Sequence, residues 1–304
     1  MSIVEKAAER LKSLQPEALP TPLPEATLAQ PAATTIERLQ DRPVAQGQPA
    51  ETTAPLLHVD KAALVRAGVL PAGEEASDRL ADELRRVKWP LMRNAAAQGS
   101  EVLAHAERIM VTSALAGEGK TFTAMNLALS LARELDFEVV LVDGDIPKSH
   151  ITRVLGLQGK PGLMDVLADE QRSPAEVIVR TDVPNLLVVP VGGRHSLAAE
   201  LFRSLRMEYV LQEFGARNPR RLLVFDSSPL LAVSESQVLA SHMGQVVMVI
   251  AAGTTPQHAV NLALQGLDDA QYVGLILNMS SLPATENHYD SYYGQYSNGH
   301  GEGA

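Results

Sequence analysis

Residues 108–126 read RIMVTSALAGEGKTFTAMN, and the side chains in this stretch have the types and spacing to hold a polyphosphate. Gly117 and Gly119 let the backbone turn tightly and aim its N–H groups inward, with no Cβ in the way. A helix that starts near Lys120 adds the positive end of its dipole. Lys120 can reach the β- and γ-phosphates as a point charge, and the Thr121 hydroxyl is placed to ligate Mg²⁺. The reading makes Ala116, Gly117, Glu118, Gly119, Lys120, Thr121 and Phe122 the nucleotide-binding residues, with ATP and Mg²⁺ as the ligand class. Ala114 stands where the common pattern has its first glycine.

Two further segments end an apolar run in acid. EVVLVDGD places Asp143 at a strand end with Asp145 two residues on, and RLLVFDS places Asp226 likewise. Mg²⁺ takes oxygen ligands and keeps several waters, so Thr121 with one or two carboxylates satisfies it. A carboxylate near the γ-phosphate can also accept the proton of an attacking hydroxyl. A lone strand-end Asp is commonly a turn or N-cap residue. Three on the edge that carries a phosphate loop point to a catalytic site.

The elements that must position these groups are legible as apolar runs at 109–112, 139–142, 186–190, 222–225, 246–251 and 273–277. Helical patterns separate them at 121–135, 197–214 and 256–267. Near-continuous apolar strands alternating with helices predict a P-loop NTPase fold of the α/β class. Its sheet is mostly parallel, with helices on both faces, and ligands bind at the carboxyl ends of the strands.

Eight of the 19 prolines fall between Pro16 and Pro55, among many Ala, Thr and Gln. That composition predicts a largely disordered linker over 16–78. Ahead of it, residues 1–15 read as an amphipathic helix with Ser2 and Glu5 as a capping box. Ile3, Val4, Ala7, Leu11 and Leu14 form its apolar stripe, suited to a partner protein. The globular domain is expected over 79–280 and a flexible tail over 281–304. The formal charge of −10 disfavours nucleic acid as a partner. Absence of cysteine excludes disulfides and thiolate metal sites. No run reaches the roughly 18 apolar residues of a membrane span and none resembles a signal peptide, so a cytoplasmic location is expected.

The set VTSALAGEGKT, VVLVDGD and LLVFDSSP resembles the three Walker-type motifs of the bacterial tyrosine kinases, P-loop enzymes unrelated to the eukaryotic kinase fold. The match spans roughly residues 79–304. With the N-terminal helix and Pro-rich linker, it is similar to the autokinases of exosortase and exopolysaccharide loci. The resemblance implies that Lys120 contacts the phosphates, Thr121 and Asp226 serve Mg²⁺, Asp143 is the base, Asp145 assists through the metal and Asn278 meets the adenine. It implies autophosphorylation of the tail HYDSYYGQYSNGHGEGA, where Tyr289, Tyr292, Tyr293 and Tyr296 hold four of the six tyrosines. It also implies a ring of protomers packed through a Glu-x₂-Arg-x₂-Arg helix. Glu83 and Arg86 keep that pattern, while Trp89 replaces the last Arg beside Lys88. The implied partners are a separate membrane-bound polysaccharide co-polymerase acting as activator, which would recruit the chain to the inner face of the plasma membrane, and a cognate tyrosine phosphatase. Two other readings share the loop: a ParA/MinD-like positioning ATPase, and a non-catalytic ATP-binding assembly scaffold. The first carries a signature Lys five residues before the motif Lys, where this chain has Leu115.

Overall fold

Runs such as EVVLVDG, RLLVFDS and QVVMVIA are rich in β-branched and large apolar residues, which suit a strand covered on both faces. The computed structural model describes residues 56–97, 102–216, 218, 220–268 and 271–280, and these runs form its centre. The strands are β1 Arg108–Ser113, β2 Glu138–Gly144, β3 Val179–Arg180, β4 Leu186–Val189, β5 Arg221–Ser227, β6 Gln245–Ala251 and β7 Tyr272–Asn278. They lie in the order β3-β4-β2-β5-β1-β6-β7. All neighbours pair in parallel except β3 with β4. Every position of β1 and β5 is buried.

Alternate side chains leave a strand on opposite faces, so the sheet divides the core in two. Ile109, Val111, Leu141 and Val224 pack on one side with helices α1 Lys61–Arg66, α2 Glu74–Ala96, α3 Lys120–Leu131 and α4 His150–Val154. Met110, Val142 and Phe225 pack on the other with α5 Leu163–Ala168, α6 Ala198–Arg203, α7 Leu205–Ala216, α8 Ser234–Ala240 and α9 Gln257–Leu264. The single helix expected over 197–214 is two, because Ser204 takes an extended conformation. Its Oγ accepts from the Met207 N–H at 3.3 Å and caps the second helix.

The linker expected over 16–78 is corrected at its C-terminal end. Residues 56–78 already belong to the folded unit, and the boundary at 79 falls inside α2. Leu57 joins the sheet edge: its N–H donates to Arg180 O at 2.8 Å and its carbonyl accepts from Asp182 N at 3.0 Å. Val59, Leu64 and Val69 are buried against α3 and β4, and the Asn126 amide donates to Val69 O at 2.8 Å. These buried apolar side chains anchor the segment on the domain core. The amphipathic helix expected over 1–15 and the tyrosine tail lie outside the described residues.

The two ends of the sheet differ in chemistry. At the amino ends of the strands, buried arginines are paired. Arg108 makes a two-pronged contact to Glu208 at 2.7 and 2.8 Å. Arg221 donates to Glu138 Oε2 at 2.6 Å and to Phe214 O at 2.7 Å. At this same end, α2 is tied down by Gln245, whose amide donates to Leu91 O and Ala106 O and accepts from Asn94. The carboxyl ends of β2 and β5 carry the acids of the sequence motifs instead.

Two stability measurements follow. Leu64→Ala should cost about 2–5 kcal/mol in urea unfolding, as for a buried core leucine; a residue in a disordered linker would cost nothing. The Arg108 guanidinium holds the Glu208 carboxyl down at about 2, from an ordinary 4.5. The folded state therefore favours the ionised form, and its contribution is complete above pH 4.5 and fades as pH falls towards 2. Glu208→Gln should lower stability at pH 7 by about 1–3 kcal/mol and flatten the acid limb of the stability curve between those values.

Candidate active site

The loop between β1 and α3 holds its shape through bonds to the rest of the fold. Gly117 and Gly119 have φ of 88° and 96°, the left-handed region that favours glycine. Gly119 has a second reason: a Cβ there would lie 2.0 Å from Asn278 Nδ2. The Asn278 amide donates to Glu118 O at 2.9 Å, so the residue expected to meet the adenine also braces the loop. Glu118 is buried. Its Oε2 accepts from the Leu115 N–H at 2.6 Å and its Oε1 from the Thr255 hydroxyl. Thr255 Oγ1 in turn accepts from Ala251 N at 3.0 Å. Ala114 is fully buried in the core and has no positive φ, so its methyl group takes the place of the usual glycine without strain.

These contacts leave the backbone N–H groups from Ala116 to Phe122 without an acceptor among the described residues. They form the concave row of donors that a phosphate chain requires. Lys120, at the helix start, is buried. Burial lowers the pKa of its ammonium, and the nearby Asp226 and Asp145 carboxylates oppose that shift.

Across from the loop stand the three strand-end carboxylates, all at most 1% exposed. Asp143 and Asp226 are register partners on the adjacent strands β2 and β5, and Asp226 is in turn the partner of Val111 on β1. Asp143 Oδ2 accepts from the Thr152 N–H at 2.7 Å and the Thr152 hydroxyl at 2.6 Å, while Oδ1 lacks a hydrogen bond of normal geometry, although the Asp145 N–H lies near the carboxylate. Burial pushes the Asp143 carboxyl up to about 6 against the pull of Thr152. Asp145 Oδ1 accepts from Ser228 Oγ at 2.8 Å, and its Oδ2 is buried without a partner. Both oxygens of Asp226 are buried and lack a hydrogen bond of normal geometry. Burial and the neighbouring Asp143 carboxylate raise Asp226 well above the ordinary range, and the nearby Thr121 hydroxyl works against them.

Four buried, unpartnered carboxylate oxygens in one cluster fit a hard cation. Among the described residues no group of three or more His, Asp or Glu side chains forms a complete metal cage. Mg²⁺ fills most of its shell with water and phosphate oxygens and needs few protein ligands. The site residues read from the loop and strand motifs thus converge on one edge. Thr152, Thr255 and Ser228 were not singled out by sequence reasoning. Ser228 lies two residues after Asp226, close enough for the strand motif to have flagged it, while Thr152 and Thr255 have no local signal and act only through the fold.

The expected ring residues Glu83 and Arg86 are exposed on α2, as is Trp89. Lys88 is not available to replace the missing arginine there. It faces inward, 2.5 Å from Glu134 Oε1 and donating to Ser130 O at 3.2 Å. No helix among the described residues is long and apolar enough to cross a membrane.

Residues 105–302 match the family model of the ParA group, described as NUBPL iron-transfer P-loop NTPase. The chain has no cysteine with which to hold iron through thiolates. It is 30% identical over 190 residues to the putative tyrosine-protein kinase EpsB of Ralstonia nicotianae, covering 62% of this chain and 25% of that protein. To the tyrosine-protein kinase YwqD of Bacillus subtilis it is 30% identical over 192 residues, 62% of this chain and 78% of that one. The chain thus spans about a quarter of the length of EpsB and most of YwqD. The crystal structure of the VpsO kinase domain superposes with a TM-score of 0.52 at 30% identity, covering 66% of this chain and 98% of that one. Phosphate loop, carboxylate cluster and these likenesses agree: the chain belongs to the bacterial tyrosine kinases, within the ParA group of P-loop NTPases.

Proposed function

We propose that the chain is an ATP-dependent protein tyrosine autokinase. Its acceptors are Tyr289, Tyr292, Tyr293 and Tyr296, and its activity regulates exopolysaccharide synthesis or export. The observation that carries this reading is the open row of loop N–H groups facing a buried carboxylate cluster that includes one oxygen, Asp143 Oδ1, left free to take a proton.

Each residue then has a task. The loop from Ala116 to Phe122 and Lys120 bind the β- and γ-phosphates and neutralise charge as it shifts during transfer. Thr121, Asp226 and Asp145 hold Mg²⁺, which supplies charge neutralisation of the phosphates when bound. Thr152 fixes Asp143 Oδ2, so that Oδ1 is the oxygen that faces the acceptor. The phenol oxygen forms a bond to the γ-phosphorus as the bond to the β,γ-bridging oxygen breaks. The phenol proton passes to Asp143, and ADP leaves. Asn278 positions the loop and meets the adenine. Glu83, Arg86 and Trp89 lie on the face of α2 that joins protomers into a ring. The activator is a membrane-bound polysaccharide co-polymerase carried on a separate chain, which brings the kinase to the inner face of the plasma membrane, and a tyrosine phosphatase reverses the modification.

Incubation with Mg·ATP followed by mass spectrometry should place phosphate on the tail tyrosines. Lys120→Ala and Asp143→Asn should each reduce it by roughly a hundredfold or more, the scale of losing one electrostatic or acid–base contribution. ATP hydrolysis without phosphotyrosine, with a cytoplasmic activator segment present, would sink the kinase in favour of a positioning ATPase. Nucleotide binding with neither outcome would leave an assembly scaffold. Separately, Gly119→Ala should abolish binding of a fluorescent ATP analogue, because its Cβ collides with Asn278. The double variant Gly119→Ala, Asn278→Ala should regain only part of it, since the positive φ persists.

A further inference from the structure

The two edges of the sheet are finished differently. At one edge β3 has only two residues, and Leu57 bridges to Thr181 beside it. At the other, β7 runs for seven residues, YVGLILN, without a charge or a proline, and it is the last strand of the sheet. Its Tyr272 N–H donates to Gly244 O at 3.0 Å, and its Asn278 carbonyl accepts from Ala252 N at 2.8 Å. Backbone groups alternate in direction along a strand, so Tyr272, Gly274, Ile276 and Asn278 serve the pairing with β6. Val273, Leu275 and Leu277 turn their N–H and C=O groups outward, where no strand among the described residues takes them.

The same residues share a face. Tyr272 and Ile276 pack on the side of the core that holds α1 to α4, and alternation puts Val273, Leu275 and Leu277 on the opposite face. There Leu275 is 56% exposed and Leu277 61%. Exposed edge strands are commonly guarded by a lysine or a proline that stops another strand from adding, and β7 carries neither. Met279, with φ of 57°, turns the chain out of the strand directly after Asn278 and sets the limit of the open edge.

We infer that β7 is an interface for a second copy of this chain, whose own β7 adds to the edge antiparallel, about a two-fold axis at Leu275. In that register Leu275 faces its counterpart and Val273 faces Leu277, and each facing pair exchanges both backbone hydrogen bonds. Every outward donor and acceptor is then satisfied. The exposed Leu275 side chains meet across the axis, with Val273 against Leu277 on either side. Moving the axis by half a residue sets outward groups of one strand against inward groups of the other. A second copy fits because the strand is complementary to itself in length, bonding pattern and side chains, and holds no charge to repel its twin. The contact is one strand from each copy, so association is weak and depends on concentration. Antiparallel pairing sends the carboxyl ends of the two sheets in opposite directions, so both nucleotide edges stay open. No residue of α2 takes part, and no phosphate transfer is needed, so the contact is separate from the proposed ring and from the kinase reading.

Sedimentation and residue-resolved amide exchange of the full chain, over a wide range of concentration, test this. The amides of Val273, Leu275 and Leu277 should exchange quickly in dilute protein and become protected in concentrated protein, while those of Gly274 and Ile276, bonded to β6, stay protected throughout. The variant Arg86→Glu, Trp89→Ala, which alters α2 alone, should still pair. Leu275→Pro removes an outward N–H from each copy and no internal bond. It should weaken pairing by about tenfold or more and keep affinity for an ATP analogue within about twofold. Leu275→Lys and Leu275→Glu each set like charges across the axis and should each be monomeric, whereas an equal mixture of the two should pair. That recovery requires position 275 to face its own counterpart, and misfolded variants would not show it. A wild type that is monomeric at every concentration overturns the inference, as does association that the changes at Leu275 leave untouched. Protection of the Val273, Leu275 and Leu277 amides that is independent of concentration also overturns it, because the chain's own tail would then cover the edge.

Discussion

Two carboxylates face each other in register at the end of a dry parallel sheet, Asp143 on β2 and Asp226 on β5, and the site is organised around that repulsion. Both are buried, burial itself is the larger cost of ionising them, and the Asp143 carboxylate adds to that cost at Asp226, because like charges interact more strongly there than in water. Opposite charge is the general solution. Lys120 supplies part of it from the start of α3, where burial works against its protonated form and the Asp226 and Asp145 carboxylates favour it. A divalent cation with bound phosphates would supply the rest. The amino ends of the same strands show what happens where no ligand is needed: Arg108 and Arg221 are matched there by Glu208 and Glu138 within the protein. One edge is neutralised internally, and the other is left to be neutralised by what binds.

The three carboxylates differ in how far the protein satisfies them, and that difference sorts their roles. Asp143 has one oxygen held twice by Thr152 and one free. Asp145 has one oxygen tied to Ser228. Asp226 has neither oxygen engaged in a well-formed hydrogen bond. A carboxylate with both oxygens open is suited to sit in a metal shell. One with a single, rigidly presented oxygen is suited to receive a proton along one direction. That difference is why Asp143 is proposed as the base and Asp226 as a metal ligand.

Much of this was legible because its signals are local. A phosphate loop is written in consecutive residues, and a parallel strand buried on both faces is a short apolar run, so loop, strands and acid-bearing strand ends could be read directly. Contacts made by the fold could not. Thr152 reaches Asp143 from a separate helix, and Thr255 reaches Glu118 across 137 residues. Residues 56–78 read as linker because they follow directly on the Pro-rich stretch, although about half of them are apolar. Yet Val59, Leu64 and Val69 are buried, and a backbone bridge at Leu57 fixes the segment to the sheet. Lys88 is adjacent to the missing arginine in the sequence, but adjacency says nothing about which way a helical side chain turns. Its place on α2 directs it to Glu134.

The loop itself shows why its donors remain open. A flexible glycine-rich segment would lose entropy on wrapping a phosphate, and that loss weakens binding. Here the loop is held by its own Glu118, through Leu115 on one side and Thr255 on the other, and by Asn278 from the last strand. These bonds use the glutamate side chain and one carbonyl and take a single loop N–H, that of Leu115. The N–H groups from Ala116 to Phe122 are left without an acceptor among the described residues. The ends of β6 and β7, which carry none of the three motif carboxylates, thereby act on the chemistry by keeping the cradle in shape before a nucleotide arrives.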